Sequence, residues 1–251
     1  MIASLLAVAG WPQLAFCALV VLAAYTLRGA AGFGAGIVAI PLLLLVLPLR
    51  DVIPVITTLG LAASLGQSLR EFRHVDWRGL RRLVLPTLAG VAAGLWLFSA
   101  VHPQLLLKAF GVFIIGYALW SLAPPRPATL RVPARVLAPA AGGIGALVAT
   151  VFGGMAGPFY VVYLSTLRLD KTRFRASVSV VLFALGVLRA AGYGGLGLYD
   201  REVLVLLALL FPVMGLAMIA GNHLHRRLDE RAFKRIVAVL LAASGALLLF
   251  K

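Results

Sequence analysis

The sequence predicts an all-α, polytopic membrane protein, an inverted-topology repeat of about five helical segments per half. Three observations predict it: an apolar composition, long apolar runs broken by glycine and proline, and two halves with matching landmarks. Of 251 residues, 62% are apolar and 12% charged, whereas soluble domains are about 45–50% apolar and about 25% charged. Because one soluble core cannot cover that much apolar surface, lipid is the expected solvent.

Apolar runs of roughly 20 residues, the length at which a helix crosses a bilayer, follow one another along the chain. The runs are continuous, which favours helices over barrel strands that alternate apolar and polar residues. The predicted segments are 12–28, 30–49, 52–69, 80–101, 104–122, 135–152, 155–167, 176–196, 202–222 and 232–250. Of these, 30–49 is expected to be broken by glycines and 155–167 to be short.

A Pro/Arg-rich stretch divides the chain into two halves that look related. We predict a first transmembrane repeat over 1–123, a cytoplasmic linker over 124–134 and a second repeat over 135–251. Landmarks recur at offsets of 117 to 126 residues: Gly36 with Gly153, Pro41 with Pro158, Asp76 with Asp200, Pro86 with Pro212, and Lys108 with Lys234. An odd number of segments per half would set the repeats upside down relative to each other.

The formal charge of +15 is best explained by membrane topology. Basic residues concentrate in loops near 70–82, 126–135, 168–175 and 226–235, and strict alternation of the spans places these loops on one side. Cytoplasmic loops retain Lys and Arg, so we predict these loops inside, both termini outside, and a location in the cell inner membrane. Nucleic acid is not an expected partner, because no soluble face collects the charge.

Chemistry that needs buried acids, histidines or metals is not expected. All 8 acidic residues fall in or beside predicted loops, so a proton relay or sodium site in the bilayer core is hard to build. His223 and His225 supply two ligands beside a helix end, too few for a zinc site. Because no hydrolase, zinc-protease or nucleotide-binding motif is present, the sequence predicts no enzyme, metal or cofactor.

Two glycine clusters are the most informative local feature. They read GAAGFGAGIVAIP over 29–41 and GGIGALVATVFGGMAGP over 142–158. Glycine weakens a helix and proline interrupts it, and broken helices at matching positions of two halves mark a midplane binding site. The N–H groups released at a half-helix start favour an anion. The alternative interpretation is close packing of helices through small residues.

Two arginines lie in or at the ends of apolar segments. Arg28 borders the first glycine cluster, and its planar fork would suit a sulfonate or a carboxylate. The alternative is that Arg28 extends to the cytoplasmic surface. Arg189 has the same two interpretations; because its counterpart in the first half, Arg70, lies at a span end, the sequence favours extension to the surface for Arg189.

Aromatic and hydroxyl side chains complete the candidate substrate ligands. Phe33 and Phe152 flank the glycines and could stack on an aromatic substrate, although packing in the core or against lipid explains them equally well. Thr57 and Ser177 lie within segments at similar positions of the two halves. A single hydroxyl of this kind more often bonds a neighbouring helix than a ligand.

The paired glycine-proline stretches resemble those of the sulfite exporter TauE/SafE family of membrane transporters. The resemblance reaches both halves, and it points to Gly32, Phe33, Gly34, Gly36, Pro41, Gly153, Gly154, Gly157 and Pro158 as substrate-binding residues. Family members often have a run of four glycines in the second stretch, where this chain has Met155 and Ala156. The resemblance implies transport of sulfite or organosulfonates, including sulfoacetate and 4-toluenesulfonate.

The function predicted from these observations is transport of small sulfur-containing oxyanions, with the anion bound at the interface of two inverted repeats. An anion channel and a membrane scaffold or assembly protein are the alternatives. The expected partners are a small anionic substrate and the lipid bilayer, and a homodimer is left open.

Overall fold

The computed structural model describes residues 10–31, 34–122, 133–153, 156–224 and 243–248. Within these residues the regular structure is helical, as predicted. The helices are α1 Trp11–Ala31, α2 Ala35–Leu43, α3 Leu49–Glu71, α4 Trp77–Ala100, α5 Pro103–Leu122, α6 Ala134–Phe152, α7 Gly157–Ser165, α8 Lys171–Gly195 and α9 Arg201–Leu224. Residues 243–248 are also helical.

Two short helices occupy the places where the sequence predicted broken or short segments. The predicted segment 30–49 contains only the nine residues of α2, and the predicted segment 155–167 contains the nine residues of α7. The last predicted segment, 232–250, and the linker 124–134 lie mostly outside the described residues.

Five of the described helices are long and apolar enough to cross a membrane: α1, α4, α6, α8 and α9. Large apolar side chains on their outer faces are exposed, among them Leu85 at 77% and Leu216 at 66%. Such surfaces would be costly in water and are suited to lipid. The protein is therefore a multi-pass, all-α membrane protein.

Aspartates at helix starts explain why carboxylates fall in loops. The Asp76 carboxylate accepts the Gly79 N–H at the start of α4, and the Asp200 carboxylate accepts the Val203 N–H at the start of α9. The first N–H groups of a helix have no intrahelical partner, so these N-caps stabilise both starts. The match between Asp76 and Asp200 that the sequence suggested is thus a match of N-caps.

The helices form two compact units, each made of segments from both predicted halves. Among the described residues, unit A contains 10–31, 34–59, 102–122, 197–224 and 243–248. Unit B contains 60–101, 133–153 and 156–196. The chain passes from unit A to unit B within α3.

Unit A is built around a close crossing of α1 and α9. A Cβ added at Gly29 would lie 2.7 Å from the Met218 carbonyl oxygen, and one at Gly221 would overlap the Thr26 carbonyl. Only glycine permits this approach of two backbones, the usual way in which small residues join helices in a membrane.

Unit B contains the corresponding crossing between α4 and α6. A Cβ at Gly90 would overlap the Gly143 carbonyl, and one at Gly94 would lie 2.7 Å from the Thr150 Cβ. In chain order, α4 and α9 are the fourth helices of the predicted halves, and α1 and α6 are the first. Each unit therefore joins the first helix of one half to the fourth helix of the other.

Candidate functional site

The first break lies in unit A, between α1 and α2. Gly34 has φ 96° and ψ 0° and is the N-cap of α2. This left-handed conformation costs a residue with a Cβ about 1–2 kcal/mol, which explains the glycine. Gly32 and Phe33, two of the predicted site residues, lie outside the described residues.

The first turn of α2 presents backbone donors next to this break. The Ile37 N–H donates to the Gly34 carbonyl at 3.1 Å, whereas the N–H groups of Ala35 and Gly36 precede any intrahelical bond. Pro41 is the seventh of the nine residues and is buried. Its ring therefore lies well away from the first turn, and leaves the donors at the start of α2 in place.

Arg28 lies three residues before the end of α1, close to the first break. It is partly exposed, and its Cζ lies 6.0 Å from the ring centroid of Tyr25. The Tyr25 hydroxyl donates to the Ile56 carbonyl at 3.4 Å, and the adjacent Thr57 is 5% exposed. The partial exposure of Arg28 is compatible with both interpretations from the sequence, substrate contact and extension to the surface.

The second break lies in unit B, between α6 and α7. Gly153 ends α6 with φ 71° and ψ 74°, and its N–H donates to the Ala149 carbonyl at 2.8 Å. Phe152 is partly exposed, Gly157 is the buried first residue of α7, and Gly154 lies outside the described residues. Pro158 stands in the first turn of α7, where its lack of an N–H leaves this helix start with fewer donors than that of α2.

The end of α6 is closed by a side chain from α8. Thr150 lies in the last turn of α6, where the carbonyl groups of a helix run short of intrahelical N–H partners. The Tyr193 hydroxyl supplies the donor, at 2.5 Å. Tyr193 in turn accepts a hydrogen bond from Arg189 Nη2 at 3.2 Å, and the Arg189 Cζ lies 5.7 Å from the Tyr193 ring centroid.

A second pair of hydroxyls lies beside this arrangement. Tyr160, in the first turns of α7, and Thr87 of α4 share a hydrogen bond of 3.0 Å, and both are buried. Arg189 is near enough to Tyr160 to act on it electrostatically. Unit B therefore brings a guanidinium and two hydroxyls to the second break.

Ser177 has a contact of a different kind. It is fully buried, and its Oγ accepts the backbone N–H of Asp76 at 3.0 Å. The contact joins the early part of α8 to the start of α4. The bond between Thr58 Oγ1 and the Tyr199 hydroxyl, at 2.8 Å, similarly joins α3 to the residues before α9.

Arg189, with its neighbours Tyr193, Tyr160 and Thr87, is the set that the sequence left out of the predicted site. One signal for it was available: Arg189 and Tyr193 are four residues apart, and such residues share a helix face. Their contacts with α6 and α7 could not be read from the sequence, because they join segments far apart in the chain.

Acidic residues of unit A lie near one another at the start of α3 and α9. Burial, followed by the charges of Asp200 and Glu202, raises the pKa of Asp51 to about 6. Asp51 lies in the first turn of α3, ahead of the predicted span. Among the described residues, no three His, Cys, Asp or Glu side chains are grouped closely enough to hold a metal ion, and His225 is not one of the residues described.

The described residues combine three features: long apolar helices, two half-length helices that each follow a left-handed glycine, and a buried guanidinium. Together these features are those of a membrane transporter with broken helices. The family model "Sulfite exporter TauE/SafE" matches residues 17–248. The chain belongs to this family, and it is a transporter, not an enzyme.

One curated relative extends the comparison to individual proteins. The chain is 28% identical over 190 residues to the "Probable inner membrane transporter protein TsaS" of Comamonas testosteroni. The matched region covers 74% of this chain and 78% of the relative. No solved structure matches the chain significantly.

Proposed function

We propose that this protein carries small sulfur-containing oxyanions across the inner membrane. The substrates are sulfite or organosulfonates such as sulfoacetate or 4-toluenesulfonate, and the anion binds at the interface of two inverted repeats. Family membership supports the substrate class, and the inner-membrane relative supports the location.

One observation carries the proposal: two nine-residue helices, each preceded by a break that contains a left-handed glycine. Nine residues span about 13 Å, less than half of a hydrocarbon core of about 30 Å. In the proposed arrangement, each half-length helix enters the hydrocarbon core and has an end at membrane depth. Irregular backbone at that depth is tolerated only where protein or water covers it, and a helix start there attracts an anion.

The order of the helices supports a repeat. The start of α2 at Ala35 and the start of α7 at Gly157 are 122 residues apart, and so are the starts of α3 and α8. Those of α4 and α9 are 124 apart. The offset of 117 that aligns Pro41 with Pro158 does not follow this order, because Pro41 is seventh in α2 and Pro158 is second in α7.

The inverted orientation rests on the charged loops and on the odd number of predicted segments per half. With the basic loops inside, both termini lie outside. The fourth helices α4 and α9, exchanged between the halves, place residues of both repeats beside each break. Alternating access would then expose the anion first to one side of the membrane and then to the other.

Flux measurements in proteoliposomes test the proposal. Labelled sulfite and 4-toluenesulfonate are expected to enter with saturable kinetics, and unlabelled anion inside is expected to accelerate the uptake. Saturation without that acceleration would favour an anion channel over a carrier. The absence of flux for every sulfur oxyanion tested would contradict the proposed function.

A pair of glycine substitutions tests the role of the first break. In Gly36→Leu the new side chain would cover the first-turn N–H groups of α2, so flux is expected to fall at least about tenfold. The control is Gly116→Leu in α5, where an added Cβ meets nothing within 4 Å. Equal flux by the two variants, at equal amounts of protein in the membrane, would contradict the role of the first break in transport.

A further inference from the structure

Arg189 is a buried cation inside a membrane-crossing helix. It lies within the span Lys171–Gly195, six residues before the end, which is about 9 Å along the axis. An arginine at that distance could extend to the surface, but Arg189 is only 4% exposed. A charge enclosed within a membrane span is expensive, so such residues mark substrate or ion paths by default.

The hydrogen bond from Arg189 to Tyr193 does not by itself explain the charge. Tyr193 already donates to the Thr150 carbonyl at the end of α6, and a tyrosine hydroxyl can make that bond without accepting a hydrogen bond from a cation. A guanidinium carries five N–H donors in a rigid planar fork. This fork matches the oxygens of a bound oxyanion in geometry and in charge.

The neighbouring hydroxyls extend the same recognition. Tyr160 and Thr87 together carry two O–H donors, and the bond between them, at 3.0 Å, uses one. The other can turn toward an anion held near the guanidinium. Because Pro158 removes one backbone donor from the start of α7, the second break depends on side chains for its positive potential.

We propose that Arg189 is the specificity-determining residue of the anion site in unit B, and that it requires a full negative charge on a compact sulfur oxyanion. The ligand is sulfite or the sulfonate group of a larger molecule, with oxygens that accept from the guanidinium and from the hydroxyl pair. This inference rests on the proposed function and adds to it the residue that selects the substrate by its negative charge.

Binding of two isosteric ligands to the purified full-length protein tests the inference. Methanesulfonate carries one negative charge, and dimethyl sulfone, of nearly the same shape, carries none. Titration calorimetry is expected to show methanesulfonate binding at least about 30-fold more tightly to the wild type. In Arg189→Gln, both ligands should bind with affinities within about threefold of each other, because the site no longer discriminates between them by charge.

Tyr163→Phe is the matched control for a structural role. It removes a buried hydrogen bond of unit B, from the Tyr163 hydroxyl to the Gly79 carbonyl at 2.9 Å, and leaves Arg189 and Tyr193 unchanged, so the ratio of the two affinities is expected to stay within about threefold of the wild-type ratio. If Arg189→Gln keeps the wild-type ratio, or if Tyr163→Phe loses it equally, the proposal is overturned. Both variants are first compared with the wild type in elution volume and melting temperature.

A second variant keeps the test decisive if Arg189→Gln does not fold. Arg189→Lys retains the charge without the planar fork, so methanesulfonate is expected to bind about tenfold more weakly than to the wild type. Unchanged affinity in Arg189→Lys would overturn the proposal. A wild type that binds neither sulfite nor any sulfonate would instead contradict the proposed function, and the two failures are thereby distinguished.

Discussion

The two breaks have the same outline but obtain their positive potential differently. In unit A, a left-handed Gly34 precedes α2, and the first turn of that helix keeps its N–H groups because Pro41 lies near the other end. In unit B, the left-handed Gly153 follows α6, and Pro158 lies in the first turn of α7. Here the buried Arg189 lies beside the break. If the two breaks belong to the proposed repeat, the repeat keeps a shape while backbone and side-chain donors exchange roles.

The largest expected effect tests whether the units are built alike. Gly221→Ala in unit A and Gly90→Ala in unit B would each press a methyl group into a backbone carbonyl of the crossing helix. We expect each to lower the free energy of unfolding by about 3 kcal/mol or more. The measurement is the loss of the monodisperse peak in detergent after heating, compared with the wild type.

Gly215→Ala on α9 is the control for both, since an added Cβ there meets nothing within 4 Å. It is expected to be neutral or slightly stabilising, because alanine favours a helix over glycine. If only one of the two crossings loses stability on substitution by alanine, the two units are not built alike.

A smaller loss of stability is expected from alanine at the left-handed glycine of each break. Gly34→Ala and Gly153→Ala each place a Cβ on a left-handed backbone, with φ of 96° and 71° respectively. Each is expected to cost about 1–2 kcal/mol, seen as a lower thermal unfolding midpoint.

Asparagine at either position should recover part of that loss, because it tolerates the left-handed region better than alanine. Gly157→Ala serves as the control, since an added Cβ there meets nothing within 4 Å and the backbone is helical. A loss at Gly157 as large as that at Gly153 would show that backbone strain is not the cause.

The smallest expected effect is a dependence of stability on pH that arises in unit A, from Asp51. Burial, then Asp200 and Glu202, raises the pKa of Asp51 from 3.8 to about 6, so the folded state retains a proton that the unfolded state has lost. Stability should therefore fall as pH rises from about 4 to about 6. After allowance for solvent screening, the loss is on the order of 1 kcal/mol.

Asp51→Asn removes this titration, and the difference in melting temperature between variant and wild type across pH 4 to 7 measures it. The variant should become relatively more stable as pH rises. Glu202→Gln is expected to keep most of the effect, because burial is the larger cause. Parallel curves for Asp51→Asn and wild type would contradict the raised pKa of Asp51.

Much of the fold was predictable because membrane helices follow local rules. Length and hydropathy decide a span, which is why predicted 80–101 and observed Trp77–Ala100 nearly coincide. The glycine clusters likewise predicted the breaks. Alignment of the predicted repeats through Pro41 and Pro158 was less reliable, because glycine and proline recur often in this composition and a short motif can be matched several residues out of register.

By itself, the sequence determined that the protein is a bundle of membrane helices with two interrupted segments, because burial in lipid and helix breaking depend on residues adjacent in the chain. Only the tertiary structure decided that Arg189 is enclosed and lies beside the second break. That arrangement requires α4, α6, α7 and α8 to meet, and side-chain environment in a packed unit depends on residues distant in sequence. It also decided that each unit joins helices from both halves, since glycine contacts can form with any surface that fits.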